Sequence, residues 1–175
     1  LSFKTGASEA AAEKMSIDST GAVTMTSTGT TNNLRLISTD TSGSSAPDLK
    51  FYRSPGEAGA DNDYLGRIDF AGNNDAGTPE EIDYVQMYAQ IEDATDGEEG
   101  AKFFVNSFVG GAAVERMRFL ESETTFNDGG ANLDFRVEGS NFSSLLHVNA
   151  GDDSVYINNT IGAAQAHDSY DERFG

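Results

Sequence analysis

Cysteine and tryptophan are absent from these 175 residues, and only three prolines and two histidines occur. Without cysteine there is no disulfide staple and no thiol chemistry, and the lack of it says little about compartment. Basic residues are scarce: 11 Lys and Arg stand against 29 Asp and Glu, a formal charge of -18 spread along the whole length. Nucleic acid is therefore not an expected partner, since phosphate contacts need clustered Lys and Arg. No apolar run approaches the roughly 18 residues of a membrane helix, so no membrane insertion is expected. The chain starts at Leu1 with neither an initiator Met nor a signal peptide and reads as a piece of something longer.

Large apolar side chains are also in short supply. Leu, Ile, Val and Phe make up 35 of 175 residues, or 20%, at the boundary below which a highly charged chain is expected to stay unfolded. Twenty alanines fill space poorly. Part of the burial is thus expected between chains, where an oligomer hides surface that a monomer leaves wet.

What is present is strand alternation. Leu133, Phe135 and Val137 alternate with Asp134, Arg136 and Glu138; Leu146 with Val148, and Val155 with Ile157, make two further short strands around the Ala-Gly-Asp-Asp turn. Tyr64 to Phe70 alternates with both faces apolar enough to be covered, and Leu34 to Ile37 and Leu49 to Arg53 read as strands. The cleanest strand sets Val85, Met87, Ala89 and Ile91 against Tyr84, Gln86, Tyr88 and Gln90. An acidic hairpin loop, Glu92 to Gly100, returns the chain through Lys102 to Phe108, and Gly110-Gly111 turns it into Glu115 to Leu120. The first 25 residues read as three short strands, with a helix over Ser8 to Met15 as the competing reading. The expected class is all-β: short antiparallel strands in meanders or a β-sandwich-like knob.

A repeat runs through the pattern. Ala11 to Ile17 (AAEKMSI) reappears as Ala113 to Phe119 (AVERMRF), and Asn33 to Leu36 (NLRL) as Asn132 to Phe135 (NLDF). One alignment holds both, with a three-residue gap in the turn between, and implies two copies of a module of about 100 residues. The expected organisation is the end of a first module over 1–37, a β-sheet module or knob over 38–120, a meander of the second copy over 121–158 and an irregular tail over 159–175.

The stretches LKFYRS, NDYLGRIDFAGNND, YVQMYAQIEDATDGEEGAKFFV and AVERMRF, followed by FNDGGANLDFRVEGSNFSSLLHVNAGDDSVYIN, resemble the repeated modules of bacteriophage tail fibres and tail-spike-like proteins, particularly of marine phages. The likeness covers about 110 residues and departs from the pattern at Val155-Tyr156-Ile157-Asn158, where such fibres often read V-G-I-G; no chaperone-like autoprotease domain follows Arg173. It implies an intertwined homotrimeric fibre segment in a virion, extracellular, with other tail proteins and a bacterial surface receptor, such as a glycan, as partners. Structural role and host attachment are the expected function. A virion-borne polysaccharide depolymerase is the alternative from another class, and a bacterial adhesin or capsid-decorating protein a third.

Catalytic, cofactor and metal residues are not assigned. His147 lies on a strand and His167 in the tail, neither near a nucleophile elbow. Asp93, Asp96, Glu98 and Glu99 crowd one loop and Asp152 with Asp153 another, but neither has a calcium-loop spacing, and Asn127 to Gly130 lacks the calcium β-roll repeat. Both loops are expected to be solvated turns. Tyr64, Tyr84 and Tyr88 offer faces that stack on sugar rings, and are expected instead to pack a second sheet or a neighbouring subunit. Arg116, Arg118 and Arg136 are expected to pair with carboxylates.

Overall fold

A computed structural model describes residues 2–5, 12–29, 32–141 and 143–157; the expected tail over 159–175, with His167, lies outside them, as do residues 8–11 of the competing helix, whose Ala12 to Met15 are strand. The chain forms two compact units, residues 1–50 and 51–175. It is all-β, with three antiparallel sheets and no helix among the described residues.

The first unit holds β1 (Ser2–Thr5), β2 (Ala12–Ile17) and β3 (Val23–Met25), in that spatial order. The turn between β2 and β3 is closed by Asp18, whose Oδ1 accepts from the Thr20 hydroxyl, the Thr20 amide and the Ala22 amide at 2.7–3.0 Å. Those bonds hold the Asp18 carboxyl below its usual range, the Thr20 hydroxyl contributing most.

The second unit opens with a five-stranded meander: β4 (Tyr64–Asn73), β5 (Glu81–Asp93), β6 (Gly100–Val109), β7 (Ala112–Phe119) and β8 (Thr124–Phe126). Gly110 and Gly111, both at positive φ, form the tight β6–β7 turn that a side chain would strain. A smaller sheet follows, with β10 (Leu146–Asn149) between β9 (Phe135–Val137) and β11 (Ser154–Ile157).

Cross-strand register sorts the faces, because directly opposed residues point the same way. Ile68, Met87, Val105, Met117 and Phe126 are successive partners across all five strands of the large sheet. The next residues along the same strands, Arg67, Tyr88, Phe104, Arg118 and Thr125, form the corresponding row on the opposite face. In the small sheet Phe135, Val148 and Val155 make an apolar row, with Arg136, His147 and Tyr156 on the other side. One face of each sheet is thus apolar and the other polar and aromatic.

Neither apolar face has a second layer over most of its width. Among the described residues Phe104 is the only large apolar side chain that is buried, and it sits on the polar face. Tyr64, Ile68 and Phe70 stay about half exposed, so the expectation that both faces of this strand are covered fails: β4 is an edge strand. Leu34 to Ile37 and Leu49 to Arg53 also differ from expectation. They run without strand structure, and Leu34, Leu36, Ile37, Leu49, Phe51 and Tyr52 are all exposed. Alternation fits them to a pleat, but a strand needs a partner backbone to accept its hydrogen bonds.

Candidate functional site

The two apolar rows of the second unit join. Phe126 ends the row of the large sheet and Phe135 begins that of the small one, and their rings meet with centroids 4.8 Å apart at a 40° tilt. The segment between them is shaped by Asn127. At φ 61° it turns the chain out of β8, its Nδ2 donates to the Ala131 and Leu133 carbonyls at 2.7 and 3.3 Å, and its Oδ1 accepts from the Ala131 amide at 3.1 Å. Asn tolerates this left-handed conformation better than other side chains, which is why a single residue both turns the chain and satisfies its polar groups. The outcome is that the apolar row begun at Ile68 and the one ended at Val155 meet at this ring pair.

The polar faces are tied by pairs within the sheet. Tyr88 stacks on Phe104 at 4.7 Å and 17°, Tyr64 tilts over Tyr88 at 5.3 Å, and Tyr84 meets Phe108 edge-on at 6.4 Å. Within the chain these tyrosines, expected to face a second sheet or a neighbour, contact rings of the adjoining strands. Arg118 reaches Asp128 at 2.6 Å, with Glu123 and Glu115 at 3.7 and 3.9 Å. Burial pushes the Glu115 carboxyl up, against the pull of Arg118. Arg136 pairs with Glu138. Among the described residues Arg116 forms no ion pair: its Nε donates to the Ser107 hydroxyl at 2.5 Å, and a β-bulge between Val105 and Asn106 displaces it from the row of Arg118.

His147 is buried on the polar face of the small sheet. Its Nε2 lies 2.9 Å from Asp134 Oδ2, and Asp134 Oδ1 accepts from the Ala150 amide at 3.0 Å. The carboxylate therefore clamps the entry to β9 against the turn after β10. The His147 bond, more than that to Ala150, holds the Asp134 carboxyl below its ordinary range. An open hollow of ≈560 Å³ lined by Asp134, Arg136, Glu138 and His147 lies here, without an aromatic wall. An aromatic hollow lies elsewhere in the second unit, lined by Phe51, Tyr52 and Tyr64 with Arg53 and Arg67 and without a carboxylate. The paired carboxylates in an aromatic cleft that glycoside cleavage calls for are not brought together in either hollow.

The acidic loops are turns held by their own backbone. Asp93 Oδ1 accepts from the Thr95 amide at 2.8 Å, and backbone hydrogen bonds lower both Asp93 and Glu99. Asn149 Oδ1 accepts from the Gly151 and Asp152 amides, while its Nδ2 donates to Asp152 at 3.0 Å. Among the described residues no group of three or more His, Asp or Glu is placed to hold a metal ion.

The two apolar rows that meet at Phe126 and Phe135 are thus the most extended feature of the second unit among the described residues. Sequence reading found the rows but not the Phe126–Phe135 junction or the Asn127 turn. Compared with family models, curated proteins and solved structures, the chain matches none.

Proposed function

We propose that this chain is a structural, adhesive segment of a bacteriophage tail fibre, assembled as a homotrimer whose subunits cover one another's apolar sheet faces. The observation that carries the reading is the row Ile68, Met87, Val105, Met117, Phe126, Phe135, Val148 and Val155, which runs through both sheets by way of the Phe126–Phe135 contact and in which Ile68, Phe126, Val148 and Val155 are exposed. Four long strands about 4.8 Å apart with about seven paired residues, and the short β8 beside them, make a face of about 500 Å² in projection. With the small sheet added, this approaches the roughly 800 Å² per partner of a stable interface and exceeds the apolar patches that monomers usually leave bare. The number three and the virion come from the resemblance to fibre modules. The acidic exterior suits a long-lived particle that must stay soluble, and threefold display raises weak receptor contacts to useful avidity.

Immunoelectron microscopy tests the biological half. Antibodies against the chain should decorate the tail fibres of the particles encoded with it and reduce their adsorption to host cells; decoration of the capsid, or of a bacterial surface, overturns it.

A further inference from the structure

Tyr64 and Arg67 stand three residues apart on β4, and in a regular strand side chains so spaced point to opposite faces. Here they share one. Tyr64 lies opposite Gln90 and Arg67 opposite Tyr88, while Gly66 takes Ala89 between them, so a bulge inserts Leu65 as one extra residue. A bulge re-aims the side chains beside it. Both re-aimed residues line the aromatic hollow of ≈490 Å³, together with Phe51, Tyr52 and Arg53, a volume within the range of small-molecule sites.

The parts of this hollow are braced. Tyr64 tilts over Tyr88 at 5.3 Å, and Tyr88 stacks on the buried Phe104 at 4.7 Å, yet Tyr64 stays 52% exposed. Phe51 fits against bare Gly66, where a Cβ would come within 2.7 Å of the Phe51 Cβ. Arg67 donates from Nε to Asp69 at 2.5 Å and from Nη2 to Asp83 at 2.8 Å. Arg53 donates from Nη1 to Asp63 at 2.6 Å, and the same carboxylate oxygen accepts from the Ala60 amide at 3.0 Å.

Those ion pairs decide the ligand class. Each guanidinium already has a carboxylate, so the hollow holds no uncompensated cation for a phosphate or a uronate, and a chain of formal charge -18 repels a polyanion. A guanidinium still has more N–H groups than these carboxylates take. The hollow therefore combines ring faces with fixed donors and acceptors at no net charge. A pyranose is built the same way, with an apolar C–H face and a rim of hydroxyls that donate and accept.

We propose that the hollow beside the Tyr64–Gly66 bulge binds a neutral pyranose of a glycan, its C–H face on Tyr64 and its hydroxyls on Arg67, Arg53 and their carboxylates. This gives a ligand class to the adhesive part of the fibre reading but rests on the hollow alone. Tyr64 and Arg67 lie on the opposite face of the large sheet from Ile68 and Met87, so sugar binding and assembly can fail separately.

Saturation-transfer NMR on the full chain tests it, with methyl glycosides of glucose, galactose, mannose and N-acetylglucosamine and, as charged counterparts, those of glucuronate and galacturonate. The proposal expects transfer to the ring C–H protons of at least one neutral glycoside. That signal should fall roughly tenfold in Tyr64→Ala and in Arg67→Ala, persist in Tyr64→Phe, which keeps the ring stack, and stay unchanged in Tyr84→Ala, a ring outside the hollow. No transfer to any neutral glycoside overturns it, as do stronger transfer to the uronates and an equal loss in Tyr84→Ala. Dissociation of an oligomer by Tyr64→Ala also overturns it, since the hollow is then a contact between copies. A monomeric chain that binds the neutral glycoside supports the site while it contradicts the assembly.

Discussion

The Phe126 and Phe135 rings, 4.8 Å apart, are the hinge pin between the two sheets of the second unit. Each ring closes the apolar row of its own sheet, so the contact brings the two narrow apolar strips end to end. Tilted aromatic pairs contribute about 0.5–1.5 kcal/mol beyond the area they bury.

Phe135→Ala should therefore lower stability by about 1–3 kcal/mol, the low end reflecting the half-exposed state of Phe126. Hydrogen exchange should show faster opening of β9 to β11 with β5 and β6 little changed. Uniform acceleration across both sheets would mean that the pair does not mark the boundary between them.

Asn127 gives a two-variant comparison. Asn127→Gly keeps the left-handed turn and loses the side-chain bonds to Ala131 and Leu133. Asn127→Ala loses them too and adds about 1 kcal/mol of backbone strain at φ 61°. Urea midpoints should fall in the order parent, Gly, Ala.

Gly66 lies where an added Cβ would come within 2.7 Å of the Phe51 Cβ. Gly66→Ala should displace Phe51 from the sheet and expose the Phe51-Tyr52 segment to faster chymotrypsin cleavage, at a stability cost of about 1–3 kcal/mol. Adding Phe51→Ala to that variant should recover part of the loss.

Asp134 sets a pH dependence. Its folded carboxyl lies below the ordinary 3.8, so the ionised form is favoured by folding. That contribution is present in full above the unfolded value and fades as pH falls through the lowered one. Asp134→Asn should be less stable than the parent at neutral pH, and the two thermal unfolding curves should converge on the acid side of 3.8. A difference that persists undiminished in acid would mean that shape, not charge, accounts for it.

Strand identity was legible wherever alternation coincided with a neighbour in sequence. β5, β6 and β7 follow one another through short turns, so the period-2 pattern of Val85 to Ile91 and the Gly110-Gly111 turn together dictate the meander. Leu34 to Ile37 and Leu49 to Arg53 alternate equally well, yet period says only that a segment suits a sheet, not that a partner strand is at hand. The Asp134–His147 clamp spans 13 residues and depends on where β10 lies beside β9, which no local pattern reports. Arg116 was misplaced because a bulge shifts one residue out of phase, and bulges leave little trace in hydropathy. The repeat was visible as two short matches; that β1–β2 and β6–β7 share a ladder and a bulge needed coordinates.

The central claim is that sister chains complete this subunit's interior. Sedimentation equilibrium at micromolar concentration measures it directly, run on the parent and on Phe70→Glu with Val155→Glu, two sites more than half exposed in the single chain. The account predicts a parent mass three times the 18.6 kDa of one chain and dissociation in the double variant. A folded parent that sediments at 18.6 kDa and unfolds cooperatively at the same concentration contradicts it.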